Sequence, residues 1–124
     1  MIGEIRSALT PFYDNKAQAV SFKGRPALLI AKADSADYVA LPVSRVSRSA
    51  NLDPTYDIKV DPNVYPKLNL TSVSYVRAHK QTIVHAGQIG RFYGDMKTEY
   101  PDLFLEILSK REQFSKEITD QAMD

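Results

Sequence analysis

Residues 25–45, RPALLIAKADSADYVALPVSR, decide the fold that the sequence predicts. Two apolar runs, 25–33 and 37–44, flank the polar connection DSAD, which suits a hairpin turn. The second run reaches a proline and then changes to Ser44 and Arg45. If the two runs pair as a hairpin, the start of the first and the end of the second lie on the same side of the sheet.

Further β-like runs alternate with turn signals along the chain. YDIKV (56–60) alternates with period two, SVSYVRAHK (72–80) does so less cleanly, and QTIVHAGQIG (81–90) supplies a strand that ends at Gly87 or Gly90. Several short strands at roughly ten-residue spacing, followed by a helix, indicate a small, strongly bent sheet or barrel.

A long helix is predicted at the end of the chain. All seven prolines lie at or before Pro101, so the residues after it contain no helix breaker. Apolar residues recur there at intervals of three and four, which predicts an amphipathic helix over 101–120 with Pro101 in its first turn. We therefore expect one domain, 1–124, that is mainly β with α: a barrel over about 1–95 and the C-terminal helix.

Composition excludes several classes of protein. With 44% hydrophobic and 25% charged residues among 124, the chain has an ordinary globular composition. It lacks the roughly 18 uninterrupted apolar residues of a spanning helix, and MIGEIRSALT lacks the pattern of a secretory signal. The absence of cysteine excludes disulfides and thiol catalysis. These features predict a cytoplasmic protein with no membrane partner.

The formal net charge of +1 hides an uneven distribution. From Lys97 onward, four basic residues stand against seven acidic ones. No Asp or Glu occurs between Asp61 and Asp95, and a second window without acidic residues covers 38–52. If the two windows meet in space, they form a basic surface suited to a polyanion, whereas scattered charges would give an ordinary solvated surface.

Motifs for cofactors and metals are absent. The sequence has no phosphate loop of the Walker kind, no G-x-G-x-x-G, no H-E-x-x-H and no calcium loop. With only two histidines, His79 and His85, and no cysteine, a transition-metal site would need carboxylates that the surrounding window does not supply. We expect neither a metal nor a cofactor.

Polar groups at predicted strand ends are the candidate site. Arg25 precedes Pro26, which favours an extended conformation at a strand start, and Ser44 follows a buried strand. Together they offer a guanidinium and a hydroxyl to a phosphate. Each residue also has a structural interpretation: Arg25 in a salt bridge to Glu4 or a C-terminal acid, Ser44 as a turn or cap, His79 as a hydrogen-bonded strand residue.

Taken in order, GEI (3–5), GRPALLI (24–30), YVALPVSR (38–45) and SYVRAHK (74–80), followed by a closing helix, resemble the MazF/PemK toxin family of toxin–antitoxin modules. The resemblance spans roughly residues 1–118. It implies a small SH3-like barrel of the CcdB/PemK type with a C-terminal helix, a homodimer, and metal-independent endoribonuclease activity on single-stranded RNA.

The resemblance also implies roles for single residues. Arg25 and Ser44 would bind and stabilise the scissile phosphate, and Arg77 matches a family arginine. Ser74 stands where some members carry an aspartate that serves as a base. For attack by the 2′-hydroxyl, a base must remove a proton and cations must stabilise the charged intermediate. His79, with an ordinary pKa of about 6.5, is the best local candidate for the base.

The remaining candidates are residues that would bind RNA outside the reacting centre: Arg45, Arg48, Tyr75, Lys80, Gln81 and His85, the last also a reserve for the base. The expected partners are single-stranded RNA and a cognate antitoxin whose acidic segment would cover the basic groove. Two other functions stay open. One is a non-catalytic SH3-like module that binds nucleic acid or protein, and the other is a toxin of the same fold that poisons DNA gyrase.

Overall fold

A computed structural model of the chain describes residues 1–46 and 48–124, and for residues 10–12 the backbone alone. In this part of the chain the strands are β1 (Glu4–Asp14), β2 (Ala19–Lys32), β3 (Asp37–Ser44), β4 (Asp57–Val60), β5 (Ser74–Arg77), β6 (Thr82–His85) and β7 (Ile89–Asp95). The helices are α1 (Met96–Glu99) and α2 (Pro101–Met123), and short 3₁₀ turns cover Ser49–Asn51, Pro66–Leu68 and Ala86–Gln88. No helix of the described residues has the length and apolarity needed to cross a membrane.

The hairpin predicted from residues 25–45 is confirmed. β2 and β3 pair antiparallel, with Leu28 opposite Leu41. The carboxylate of Asp34 accepts the N–H groups of Ala36 and Asp37, both at 2.9 Å, and so closes the turn. β2 begins earlier than the predicted run because its first half also pairs with β1.

One curled antiparallel sheet contains the strands in the order β4-β5-β3-β2-β1-β7. β6 pairs with the same strand, β3, that β5 pairs with further along. β5 and β6 therefore follow one edge of β3 as an interrupted strand, and residues 78–81 leave the ladder between them. This interruption carries three of the candidate site residues.

The larger of two core clusters lies between the sheet and α2, and the smaller one is formed around Leu29 and Ala40. Ile5, Leu28 and Leu41 are fully buried in the larger cluster, and the helix packs Leu103, Phe104 and Ile107 against them. The predicted helix is confirmed and runs to Met123. The fold is mainly β, a small SH3-like curled half-barrel with a long C-terminal helix, as predicted.

The strand predicted within residues 81–90 is present as β6, but its predicted end at Gly87 or Gly90 is wrong, because β6 ends at His85. The Nδ1 atom of His85 accepts the N–H of Gly87 at 2.9 Å and turns the chain into a 3₁₀ turn. The strand resumes at Ile89 and passes through Gly90, where a Cβ atom would lie 2.8 Å from the Ser7 hydroxyl. Gly90 therefore permits close contact between β7 and β1 instead of ending the strand.

Candidate phosphate-binding groove

Arg25 and Ser44 lie together at one end of the β2–β3 hairpin. β2 and β3 pair as far as Ala27 opposite Pro42, and Arg25 and Ser44 each lie two residues beyond this pair. Both residues line one groove, which has a volume of about 370 Å³. The structure thus brings together the two residues that the sequence analysis paired.

The lining of the groove is basic. Its eight residues include three cations and no carboxylate: Lys23, Gly24, Arg25, Pro26, Val43, Ser44, Arg45 and Tyr93. Arg25 is exposed and makes no ion pair within the described part of the chain. Its alternative partner Glu4 instead accepts a hydrogen bond from Nε of Arg6 at 2.9 Å. The Arg25 guanidinium is therefore available to an anion.

Two lining residues were missed by the sequence analysis. Lys23 lies two positions before Arg25, so both side chains leave the same face of β2, and this spacing could have indicated it. Tyr93 comes from β7, which β1 separates from β2 in the sheet order. No local pattern indicates Tyr93, because its position depends on the pairing of β7 with β1.

Arg77 has a partner inside the protein. Its Nε donates to Oδ1 of Asp57 at 3.0 Å, and a terminal nitrogen donates to Oδ2 at 3.3 Å and to the carbonyl of Asn51 at 3.2 Å. The Asp57 side chain is fully buried, and it also accepts the N–H of Asp53 at 2.8 Å. This fork-shaped contact neutralises a buried carboxylate and ties Asn51 and Asp53 to β5.

His79 lies beside this ion pair, in the interruption between β5 and β6. Its ring packs against Tyr56 and Phe114, with centroid distances of 5.8 and 6.0 Å, and these two rings also contact each other at 5.1 Å. Nδ1 lies 3.9 Å from Oδ1 of Asp57 and has no hydrogen-bond partner among the described residues. Burial lowers the pKa of His79, and the Asp57 carboxylate opposes this only in part.

Tyr56, whose ring contacts His79, also has a shifted pKa. Burial and the neighbouring Glu117 carboxylate raise the pKa of Tyr56 to about 12. His79 also lines a smaller cavity of about 280 Å³ against α2. Neither Arg77 nor His79 is among the residues that line the groove of Arg25 and Ser44. Their catalytic roles stay predictions.

The other candidates divide between the groove and its surroundings. Arg45 lines the groove, and Tyr75 pairs with Ser44 across the sheet, so the two windows without acidic residues meet there. Arg48 is exposed and directly precedes a 3₁₀ turn. The remaining three lie on or beyond the interruption: Lys80 is exposed, Gln81 accepts a hydrogen bond from Arg111 at 2.7 Å, and His85 is exposed.

Ser74, which stands where some members of the MazF/PemK family carry an aspartate, has a buried hydroxyl group. Ser74 donates a hydrogen bond to the carbonyl of Ser72 at 3.0 Å and is 6% exposed. The carboxylate near β5 is instead that of Asp57, across the β4–β5 pair from Arg77. Among the described residues, no group of three or more His, Asp or Glu side chains could hold a metal ion.

The chain was compared with models of protein families and with individual curated proteins. No model of a protein family matches it, and no curated protein does. The class of protein is therefore argued from the groove and from the sequence motifs that form it.

The environment of His79 predicts how stability depends on pH. The unfolded chain, with an ordinary histidine pKa of about 6.5, binds a proton more readily than the folded protein does. The free energy of unfolding should therefore fall as the pH drops from 7.5 through 6.5 towards the lowered pKa of His79, by at most about 1.4 kcal/mol per pH unit for this group. Urea denaturation at pH 7.5 and 5.5 measures the difference.

The charged groups around His79 are Asp53, Asp57, Arg77 and Lys80. Backbone hydrogen bonds lower the pKa of Asp53, which therefore stays ionised throughout this range. His79→Gln should flatten the dependence. Equal slopes for the wild type and His79→Gln would contradict this account.

Proposed function

We propose that the protein is a toxin of a toxin–antitoxin module that resembles the MazF/PemK family, and that it cleaves single-stranded RNA without a metal. One observation carries this proposal: Arg25 and Ser44 line the same groove, whose lining holds three cations and no carboxylate. A groove with this charge fits a polyanion, and a guanidinium beside a hydroxyl fits a phosphate.

The chemistry assigned to the groove is stabilisation of charge. When the 2′-hydroxyl gives its proton to a base and attacks the adjacent phosphorus, the new O–P bond adds negative charge to the non-bridging oxygens. The bond to the 5′-oxygen then breaks, and that oxygen takes up a proton from water and leaves as a hydroxyl. Arg25 would donate two hydrogen bonds to these oxygens, and Ser44 would donate a third. Lys23 and Arg45 would bind neighbouring phosphates of the strand.

Proton transfer is proposed to involve His79. The lowered pKa keeps its imidazole neutral near pH 7, as a general base requires. The groove lining itself contains no carboxylate or imidazole, and His79 lines a different cavity, so the imidazole would have to reach the 2′-hydroxyl from outside the lining. Loss of cleavage in His79→Gln with unchanged RNA binding would support this role, and unchanged cleavage would remove it.

The partners follow from the same charge. An antitoxin with an acidic, disordered segment would cover the cations of the groove and fold on binding. An RNA substrate would place the protein in the cytoplasm. The homodimer is proposed from the family resemblance, and sedimentation equilibrium at the 13.9 kDa monomer mass would exclude it.

The decisive experiment incubates the purified protein with long single-stranded RNA in excess chelator. We expect fragments that end in a 2′,3′-cyclic phosphate and begin with a 5′-hydroxyl, the products of attack by the 2′-hydroxyl. RNA binding without fragments would identify a non-catalytic module. Intact RNA together with inhibition of purified DNA gyrase would identify a gyrase poison.

A further inference from the structure

One aromatic residue that lines the groove, Tyr93, has no role in the phosphate chemistry described above. The guanidinium carbon of Arg91, which is outside the lining, lies 4.8 Å from the centre of the Tyr93 ring. Planar guanidinium groups and aromatic rings are the two surfaces on which proteins stack unpaired bases. A stacked pair of this kind beside a phosphate site has the composition of a nucleotide contact.

The backbone of β7 holds this pair in place. The carbonyl of Tyr93 accepts a hydrogen bond from the Asn69 amide at 2.6 Å, and the N–H of Arg91 donates to the Ser7 hydroxyl at 2.8 Å. At Gly94 a Cβ atom would lie 2.5 Å from the carbonyl oxygen of Lys67, so only glycine allows this approach. Contacts on both sides of Tyr93 therefore fix its strand, which limits the ordering cost of a base contact.

We propose that Tyr93, with Arg91 stacked on it, binds an unpaired nucleobase next to the phosphate held by Arg25 and Ser44. This inference rests on the proposed binding of RNA in the groove and does not depend on cleavage. It assigns the groove to single strands, because a base inside a duplex has no free face to offer. Contacts with phosphates would contribute to binding of any strand, and the Tyr93–Arg91 pair would contribute only when the strand carries a nucleobase at this position.

The test compares two probes of equal length and charge: a fluorescein-labelled single-stranded RNA with 2′-O-methyl groups, which cannot be cleaved, and an abasic strand. Arg91→Lys keeps the positive charge and removes the planar group. It should weaken binding of the base-bearing strand about tenfold, as expected for one stacked base, and leave binding of the abasic strand unchanged. Tyr93→Leu should act in the same direction.

Arg6→Lys is the matched control. The Arg6 guanidinium lies 5.1 Å from the ring centre of Phe92, a similar stack on the same strand pair, and neither residue lines the groove. This variant should bind both probes as the wild type does. Fluorescence anisotropy measures all affinities, and because Arg91 is exposed, its variant decides the matter even if Tyr93→Leu does not fold.

The outcomes separate this inference from the proposed nuclease. Equal weakening of both probes by Arg91→Lys, or no weakening, would overturn the base contact even if the wild type cleaves RNA. Selective weakening of the base-bearing probe by a protein that leaves unmodified RNA intact would support the base contact and end the nuclease proposal. A wild-type protein that binds neither probe would overturn both.

Discussion

Arg25→Ala should lower kcat/KM for RNA cleavage by about 10²–10³-fold, the usual cost of removing one donor aimed at charge that develops in the transition state. Arg25 lines the groove together with Ser44, and within the described residues it makes no ion pair that folding would lose. The loss should therefore appear in catalysis and not in stability. Gel analysis of a labelled single-stranded RNA in chelator gives the rate, and urea denaturation checks the fold.

Lys32→Ala is the control for this experiment. Lys32 also lies on β2, is also exposed and also carries one positive charge, but it is the last residue of the strand, whereas Arg25 lies in its middle, and it does not line the groove. If general attraction between the protein and RNA were the whole effect, both variants would lose activity equally. Equal rates for the two variants would contradict the assignment of Arg25 to the scissile phosphate.

The sequence predicts the half of the groove that depends on local structure. The hairpin of β2 and β3 forms between neighbouring runs, so the placement of Arg25 and Ser44 on one groove follows from one turn and a shared register. Tyr93 reaches the groove because β7 pairs with β1, whose Ile5 lies opposite Gly94. A pairing between strands so far apart in the chain is not visible in local periodicity, so the position of Tyr93 on the groove could not be predicted.

The count of charges along the chain predicts that the two windows without acidic residues meet, but it does not predict the partner of each cation. The two windows without acidic residues do meet, at the pair of Ser44 and Tyr75. Arg77 lies in one of these windows, yet Asp57, from outside both, is its cross-strand neighbour and binds its guanidinium. A count along the chain finds an excess of cations, but only the register of β4 against β5 decides which cation remains available to RNA.

That ion pair leads to the largest expected effect on stability. Asp57→Ala should lower the free energy of unfolding by about 3 kcal/mol, at the lower end of the cost of breaking a buried pair, because the Arg77 side chain remains 24% exposed. The substitution leaves a half-buried guanidinium without its carboxylate and removes the acceptor of the Asp53 N–H. Urea denaturation at pH 7.5 measures the change.

An exposed ion pair of similar length supplies the matched control. Lys116 and Asp120 on α2 lie 2.9 Å apart, with side chains 77% and 62% exposed, so Asp120→Ala should cost no more than about 0.5 kcal/mol. Adding Arg77→Met to Asp57→Ala should recover part of the lost stability, since no unpaired charge then remains. Equal losses for Asp57→Ala and Asp120→Ala would show that burial adds nothing to the pair, and Arg77 would then be as available to an anion as Arg25.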